Sequence, residues 1–212
     1  MRLRTAATWI GRIVSLFTTF AIVALVALYL FGLTLLPSDR KPDDPSTVPS
    51  MARELLWREL GGEGPPAMPA LSPITDLLRE STAGKSLAIA AGRALLKQGK
   101  TPRPWTPAFF SASLWASSNW STEQALTTVL VRSYYGHDLY GLEAAARAYF
   151  GLPASSLTPF ETAQLVALTR SSSRYDPWCA TAASRTRATE ISGFEASQSP
   201  SRLRSPPEGA CS

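Results

Sequence analysis

From Ile13 to Ser38 the chain carries no charge, running IVSLFTTFAIVALVALYLFGLTLLPS. A bilayer core takes about 20 apolar residues, so this run predicts a transmembrane helix over 13–36. Arg2, Arg4 and Arg12 precede it, while Asp39, Asp43 and Asp44 follow. The positive-inside tendency therefore puts residues 1–12 in the cytoplasm and the rest of the chain on the far side of the membrane. A cleaved signal peptide has a shorter apolar core, about 7 to 15 residues, and a small-residue cleavage site. This run ends in LLPSDRK, which favours an uncleaved anchor.

Beyond the anchor, residues 37–50 (PSDRKPDDPSTVPS) are polar and proline-rich, the composition of a linker that holds the next element off the membrane. The hydrophobic pattern then turns helical, with little strand signal. Met51 to Leu60 sets Ala52, Leu56 and Leu60 at i, i+4 and i+8 before GGEGPP breaks it. Ser72-Pro73 opens a short helix through Leu78, and Ser86 to Lys97 is apolar along Leu87, Ala91, Ala94 and Leu95 with Arg93 projecting elsewhere. Two capping boxes announce further helices. Ser121 and Gln124 precede Leu126, Val129 and Leu130, and Thr158 and Glu161 precede Leu165 and Leu168. Between them, Leu142 to Phe150 puts Leu142, Ala145, Ala146 and Tyr149 on one face, with Glu143 and Arg147 paired at i,i+4 on another. Gly151 and Pro153 end that helix. The fold class is mainly α, with residues 51–180 forming one domain large enough for its own core. From Thr181 to Ser212 the periodicity fades, and the pattern predicts a poorly ordered tail.

Composition narrows the function classes. The net charge is +5, but three of those charges are the N-terminal arginines, so nucleic acid is not implied as a partner. Two cysteines, Cys179 and Cys211, can form one disulfide in an oxidising compartment but make no metal site. A single histidine, His137, excludes a multi-histidine metal centre. His137 and Asp138 suggest an acid–base pair, although adjacent loop residues do not face each other by default.

The stretch GHDLYGLEAAARAYFGLPASSLTPFETAQLVALTRSSSRYDP has a tighter pattern than the rest. Tyr135, Gly136, Tyr140, Gly141, Glu143, Ala144 to Ala146, Tyr149-Phe150-Gly151, Leu157, Glu161, Ala163, Leu165, Leu168, Tyr175 and Pro177 fall without a gap on the string Y-F-G-x-G-x-Y-G-I-E-A-A-A-x-x-Y-F-G, L-x-x-x-E-A-A-x-L-A-x-L, P-x-x-Y-x-P. The chain thus resembles the family 51 glycosyltransferases, the peptidoglycan-polymerising module of bifunctional penicillin-binding proteins and of monofunctional biosynthetic transglycosylases. The resemblance implies a lysozyme-like helical domain at the bacterial inner membrane. It also implies a lipid-linked peptidoglycan precursor or glycan chain as ligand, and cell-wall synthesis proteins as partners. No cofactor is implied, although a divalent cation bound with the pyrophosphate is compatible with that chemistry.

In that family a glutamate removes a proton from the attacking sugar hydroxyl while basic residues neutralise the departing pyrophosphate. By distance and context Glu59 in ELLWREL is the candidate base, with Glu63 a rival in the following loop. The family motif G-G-S-T-I-T-Q-Q-x-x-K-N-L aligns with Ala83 to Leu95, which makes Ser86 and Arg93 the candidate substrate-binding residues. Its paired glutamines have become Ile89 and Ala90, which cannot hydrogen-bond sugar or phosphate. The second family glutamate falls at or near Phe109, its asparagine at Val131 and a motif glycine at Asp138. Two functions stand. One is a degenerate relative with weak or absent polymerisation of lipid II, and the other an active polymerase using Glu59. No close carboxylate pair of the kind glycoside hydrolysis uses can be placed.

Overall fold

The computed structural model describes residues 2–72, 83–96, 105–194 and 202–211, and the helix expected from Ser72 to Leu78 lies largely outside them. Among the described residues there are eight α-helices and no strand, apart from an isolated antiparallel bridge between Tyr134 and Tyr140. The mainly α class read from the sequence holds. Helix α1 spans Arg2–Thr34, and an 18-residue stretch within Arg12–Thr34 has a mean hydropathy of 2.5 and no buried residue, whereas Gly32 near the end of the helix is buried. By length and composition α1 can cross a membrane. Its hydroxyls suit that setting, since Thr18 and Thr19 donate to the carbonyls of Val14 and Ser15 in the preceding turn.

The other helices are α2 (Ser50–Glu59), α3 (Ala83–Leu96), α4 (Trp105–Asn119), α5 (Thr122–Arg132), α6 (Leu142–Phe150), α7 (Pro159–Leu168) and α8 (Thr181–Ser192). Both capping boxes form, Ser121 with Gln124 and Thr158 with Glu161. Gly141 caps α6 at φ 87°, and a Cβ there would come within 2.7 Å of the Val131 carbonyl, so only glycine fits. The predicted face of α6 is the buried one. Leu142 is 2% exposed and Ala145, Ala146 and Tyr149 are fully buried, while Glu143 and Arg147 pair at 2.8 Å in solvent. From Phe160 to Leu168, α7 is buried all round and forms the central helix.

Helix α4 went unassigned in the sequence because WTPAFFSASLWASSN has no single polar face. The structure supplies the reason, since α4 packs on α1 along one side and on α3 along another. Small residues permit both crossings. A Cβ on Gly32 of α1 would lie 2.0 Å from the Ser111 hydroxyl oxygen, and one on Gly92 of α3 would lie 2.4 Å from that of Ser113. Ser111 also donates to the Tyr29 carbonyl at 3.0 Å, tying α4 to the last turns of α1.

Two expectations change. Residues 37–50 do not form a free spacer. Arg40 donates to the Leu33 and Pro37 carbonyls, Trp120 Nε1 donates to the Arg40 carbonyl, and Asp43 pairs with Arg132 at 2.7 Å. The tail from Thr181 is not uniformly disordered either. Helix α8 buries Ser184, Ala188, Ile191 and Ser192 against the domain. Residues 202–211 return as a strap. Arg202 forms a two-pronged pair with the buried Glu161, donating from Nε to Oε1 at 2.9 Å and from Nη2 to Oε2 at 2.6 Å. The Arg204 amide donates to the Tyr149 carbonyl, and Cys211 is disulfide-bonded to Cys179. Burial alone would raise the Glu161 pKa, but the bonds from Arg202 and the Thr158 amide hold it below the usual glutamate range. The sequence concealed this order because the strap contributes charges and a cysteine rather than an apolar stripe.

The buried alanine face of α6 leaves no room for larger groups. Ala145→Leu or Ala146→Leu should overpack it and cost on the order of 1 to 3 kcal/mol, read as a lower thermal midpoint. Unchanged melts for both variants would contradict this packing.

Candidate functional site

The C-terminal end of α2, one side of α3, the end of α5 and the residues after α7 enclose a cavity of about 510 Å³. Glu59, Ser86 and Arg93 all line it, so the candidate from α2 meets the two from the α3 motif in one place. Ile89 and Ala90 line it too, which makes the wall apolar where the family string carries its glutamines. Glu63 is elsewhere, on a separate cavity of about 690 Å³ with Trp57 and Glu123.

Glu59 ends α2 with its side chain only 2% exposed. Its Oε2 accepts from Arg187 Nε at 2.9 Å and lies 2.8 Å from Arg187 Nη2, while Oε1 accepts no hydrogen bond among the described residues and stands in an ion pair 3.6 Å from Arg170 Nη1. Burial pushes the Glu59 carboxyl above the usual glutamate range, against the pull of Arg187 and Arg170. The carboxylate is thus asymmetric, with Oε2 held by Arg187 and Oε1 in a longer ion pair with Arg170. The polar part of the wall also carries Arg93, Arg132 and Arg170 beside Ser86, Ser133 and Thr169, between apolar side chains such as Leu56, Leu60 and Val129. Arg93 also lies over the Phe109 ring at 5.7 Å, so an aromatic face stands where the family motif brings a second glutamate.

Three of these charges escaped the sequence reading. Arg187 sits in the segment expected to be disordered, Arg170 follows the last apolar position of α7, and Arg132 closes α5. Only the approach of α8 and α7 to the end of α2 brings Arg187 and Arg170 to Glu59, across 128 residues of sequence in the case of Arg187.

The suggested pairing of His137 with Asp138 is corrected by the structure. His137 Nε2 bonds Asp176 Oδ2 at 2.7 Å instead, and Asp176 Oδ1 accepts from the Trp178 and Cys179 amides. His137 and Asp138 hold φ values of 48° and 58°, the left-handed region in which His and Asp are among the better-tolerated residues. The pair ties the glycine loop to the segment before α8. Cys179 lies near both side chains but is bonded to Cys211, so it brings no free thiolate to a metal.

A helical domain behind an apolar N-terminal helix, with a buried glutamate facing several arginines, suits the handling of a negatively charged group near a membrane. Residues 94–193 match the family described as Transglycosylase, so the resemblance read from the motifs is borne out over that region. Glu59, Ser86 and Arg93 precede the matched region. The chain is 40% identical over 84 residues to penicillin-binding protein 2D of Bacillus subtilis, which is 39% of this chain and 12% of that protein. It is 43% identical over 61 residues to penicillin-binding protein 1A of Mycobacterium tuberculosis, 29% of this chain and 7% of that protein. It is 30% identical over 121 residues to the biosynthetic peptidoglycan transglycosylase of Pseudomonas putida, 57% of this chain and 44% of that protein. The chain thus spans less than half the length of each of these relatives.

The Glu59–Arg187 pair yields a stability test. Arg187→Met should leave Glu59 buried without its principal partner and cost roughly 3 kcal/mol, the low end for a broken buried pair because Arg187 is partly exposed. Adding Glu59→Gln should recover part of that loss in the same thermal melt. A single variant that melts like wild type would mean the pair carries no net stability.

Proposed function

We propose that the protein is a membrane-anchored member of the peptidoglycan glycosyltransferase family whose cavity binds a lipid-linked precursor or glycan chain, and whose polymerisation of lipid II is weak or absent. Helix α1 crosses the bacterial inner membrane with residues 1–12 in the cytoplasm and the domain outside. Cell-wall synthesis proteins are the natural partners. The observation that carries this reading is the composition of the cavity wall. Glu59, Ser86 and Arg93 line it together, but Ile89 and Ala90 replace a hydrogen-bonding pair and Phe109 lies against Arg93. Such a wall retains charge for a diphosphate and lacks much of the polar lining a sugar acceptor needs. Loss of one catalytic group costs several kcal/mol of transition-state stabilisation, which is orders of magnitude in rate. The outside location draws support from the disulfide between Cys179 and Cys211, since such bonds persist in oxidising compartments.

Glu59 Oε1, which accepts no hydrogen bond among the described residues, favours a second reading, an active polymerase. There Glu59 takes the proton of the acceptor hydroxyl as its oxygen bonds to the anomeric carbon of the donor. The anomeric carbon–phosphate oxygen bond breaks, and the diphosphate leaves against Arg93.

Purified full-length protein incubated with labelled lipid II should make no long glycan, while wild type and Glu59→Gln bind the lipid alike. Synthesis by wild type that Glu59→Gln abolishes would establish the second reading. In that case the raised Glu59 pKa sets the pH profile. The base works only when ionised, so activity should fall with decreasing pH through a value above the ordinary glutamate figure of about 4.3.

Topology has its own check. A reporter fused after Ser212 should be active only on the outer side of the membrane, and activity of a cytoplasm-restricted reporter there would overturn the orientation.

A further inference from the structure

The glycine loop, the segment before α8 and the end of the strap enclose a surface cavity of about 440 Å³ that shares no lining residue with the Glu59 cavity. His137, Asp176 and the Cys179–Cys211 disulfide line it. One ligand atom each from His137, Asp176 and Cys179 lies within 4.8 Å of the other two, and the Cys211 sulfur, bonded to that of Cys179, is a fourth donor at the same place. Bonds to zinc of about 2.0 to 2.3 Å set tetrahedral ligand atoms about 3.3 to 3.8 Å apart, so shifts of about an ångström would seat an ion. Each donor is anchored by bonds other than the disulfide. Asp176 Oδ1 accepts from the Trp178 and Cys179 amides, the turn that sets Cys179 beside the carboxylate. The loop carrying His137 is closed by the Tyr135 amide on the Leu139 carbonyl and the Leu139 amide on the Gly136 carbonyl. Cys211 arrives on the strap, which Arg202 and the Arg204 amide hold to Glu161 and Tyr149, and whose Arg204 carbonyl accepts from Trp178 Nε1. Charge favours a cation, because the imidazole balances the buried Asp176 carboxylate only when protonated.

We propose that His137, Asp176, Cys179 and Cys211 form a zinc site that opens when the disulfide is reduced. Two cysteines and one histidine make no metal centre by count, but Asp176 completes an N, O and S donor set of the kind zinc takes in tetrahedral sites. Both cysteines are exposed, so a reductant can reach the bond. A thiolate of a dithiol reductant attacks one sulfur and forms a mixed disulfide, and the second thiol of the reductant then displaces the protein sulfur. The reductant leaves as its own disulfide, having given up two electrons, and Cys179 and Cys211 are left as thiols. Zinc binds both sulfurs as thiolates, and their protons pass to solvent. The ion then joins the strap to the segment before α8 where the disulfide did, so one crosslink replaces the other and the strap stays closed in both redox states. None of this depends on what the Glu59 cavity binds.

The test is a titration of the full chain in neutral detergent micelles with zinc(II), and in parallel with cobalt(II), whose thiolate charge-transfer absorption reports sulfur ligation. Both are run before and after reduction by a phosphine, which does not compete for the ion as a dithiol would. The reduced chain should bind one ion with that absorption and melt at a higher temperature for it, and the oxidised chain should do neither. His137→Ala and Asp176→Asn should each weaken binding by the reduced chain about tenfold or more. The double variant Cys179→Ser with Cys211→Ser should keep its helical circular dichroism and lose the absorption. Its unfolding would overturn the claim that the donors are anchored without the disulfide. Wild-type affinity in His137→Ala and Asp176→Asn would reduce the site to a pair of thiols and overturn the four-donor set. Equal binding by the oxidised chain would overturn the redox dependence, and no binding by the reduced chain would overturn the site.

Discussion

A carboxylate buried at a helix end has to be matched by positive charge, and in this protein much of the architecture around the cavity follows from matching Glu59. Arg187 can reach it only if α8 folds back over α2, and Arg170 only if the chain leaving α7 passes the mouth of the cavity. Breaking such a pair costs more than forming it yields, because removing one partner strands a charge away from water. The pair is therefore better regarded as a constraint on how α2, α7 and α8 assemble than as a source of net stability. Its chemical consequence is an asymmetric carboxylate, with one oxygen hydrogen-bonded to Arg187 and the other, among the described residues, only in a longer ion pair with Arg170.

The same logic recurs at both ends of the domain. At the N-terminal end, Arg40, Asp43 and Arg132 convert a proline-rich segment into a brace between the anchor helix and the cavity wall. At the C-terminal end, Arg202 engages the buried Glu161 that also completes the capping box of α7. Glu161 thus does two jobs, holding the start of the central helix and receiving the strap. The disulfide between Cys179 and Cys211 closes the strap at its far end and limits how far it can separate from the domain. Arginine is suited to these positions because its planar fork holds a carboxylate or several carbonyls in one fixed geometry.

The transglycosylase match falls on the part of the chain that packs most of the helices. The matched residues 94–193 include the capped helices, the glycine loop and α6, whereas Glu59, Ser86 and Arg93 come earlier. Residues that pack a helix against its neighbours tolerate little change, since overpacking and cavities both cost stability. Residues that face a cavity are free to change without unfolding the domain. Ile89 and Ala90 on the cavity wall, beside fully buried Leu87, Ala88 and Ala91 on the same helix, illustrate that separation.

Whatever depends on local periodicity or on a few neighbouring residues could be read from the chain by itself. The uncharged run of α1, both capping boxes, the Gly141 turn and the buried alanine face of α6 all appear in the structure where the pattern put them. Ser86 and Arg93 could be named from motif spacing, and Glu59 from its distance to neighbouring elements. Only the tertiary structure decided that these three share a cavity, that Arg187 rather than a nearby residue engages Glu59, and that His137 pairs with Asp176 instead of Asp138. The partner of a charged side chain depends on which helix ends meet in space, and hydrophobic periodicity specifies faces without specifying meetings. Helix α4 was hidden for a related reason, since a helix packed on two sides loses the polar stripe by which an amphipathic helix is recognised.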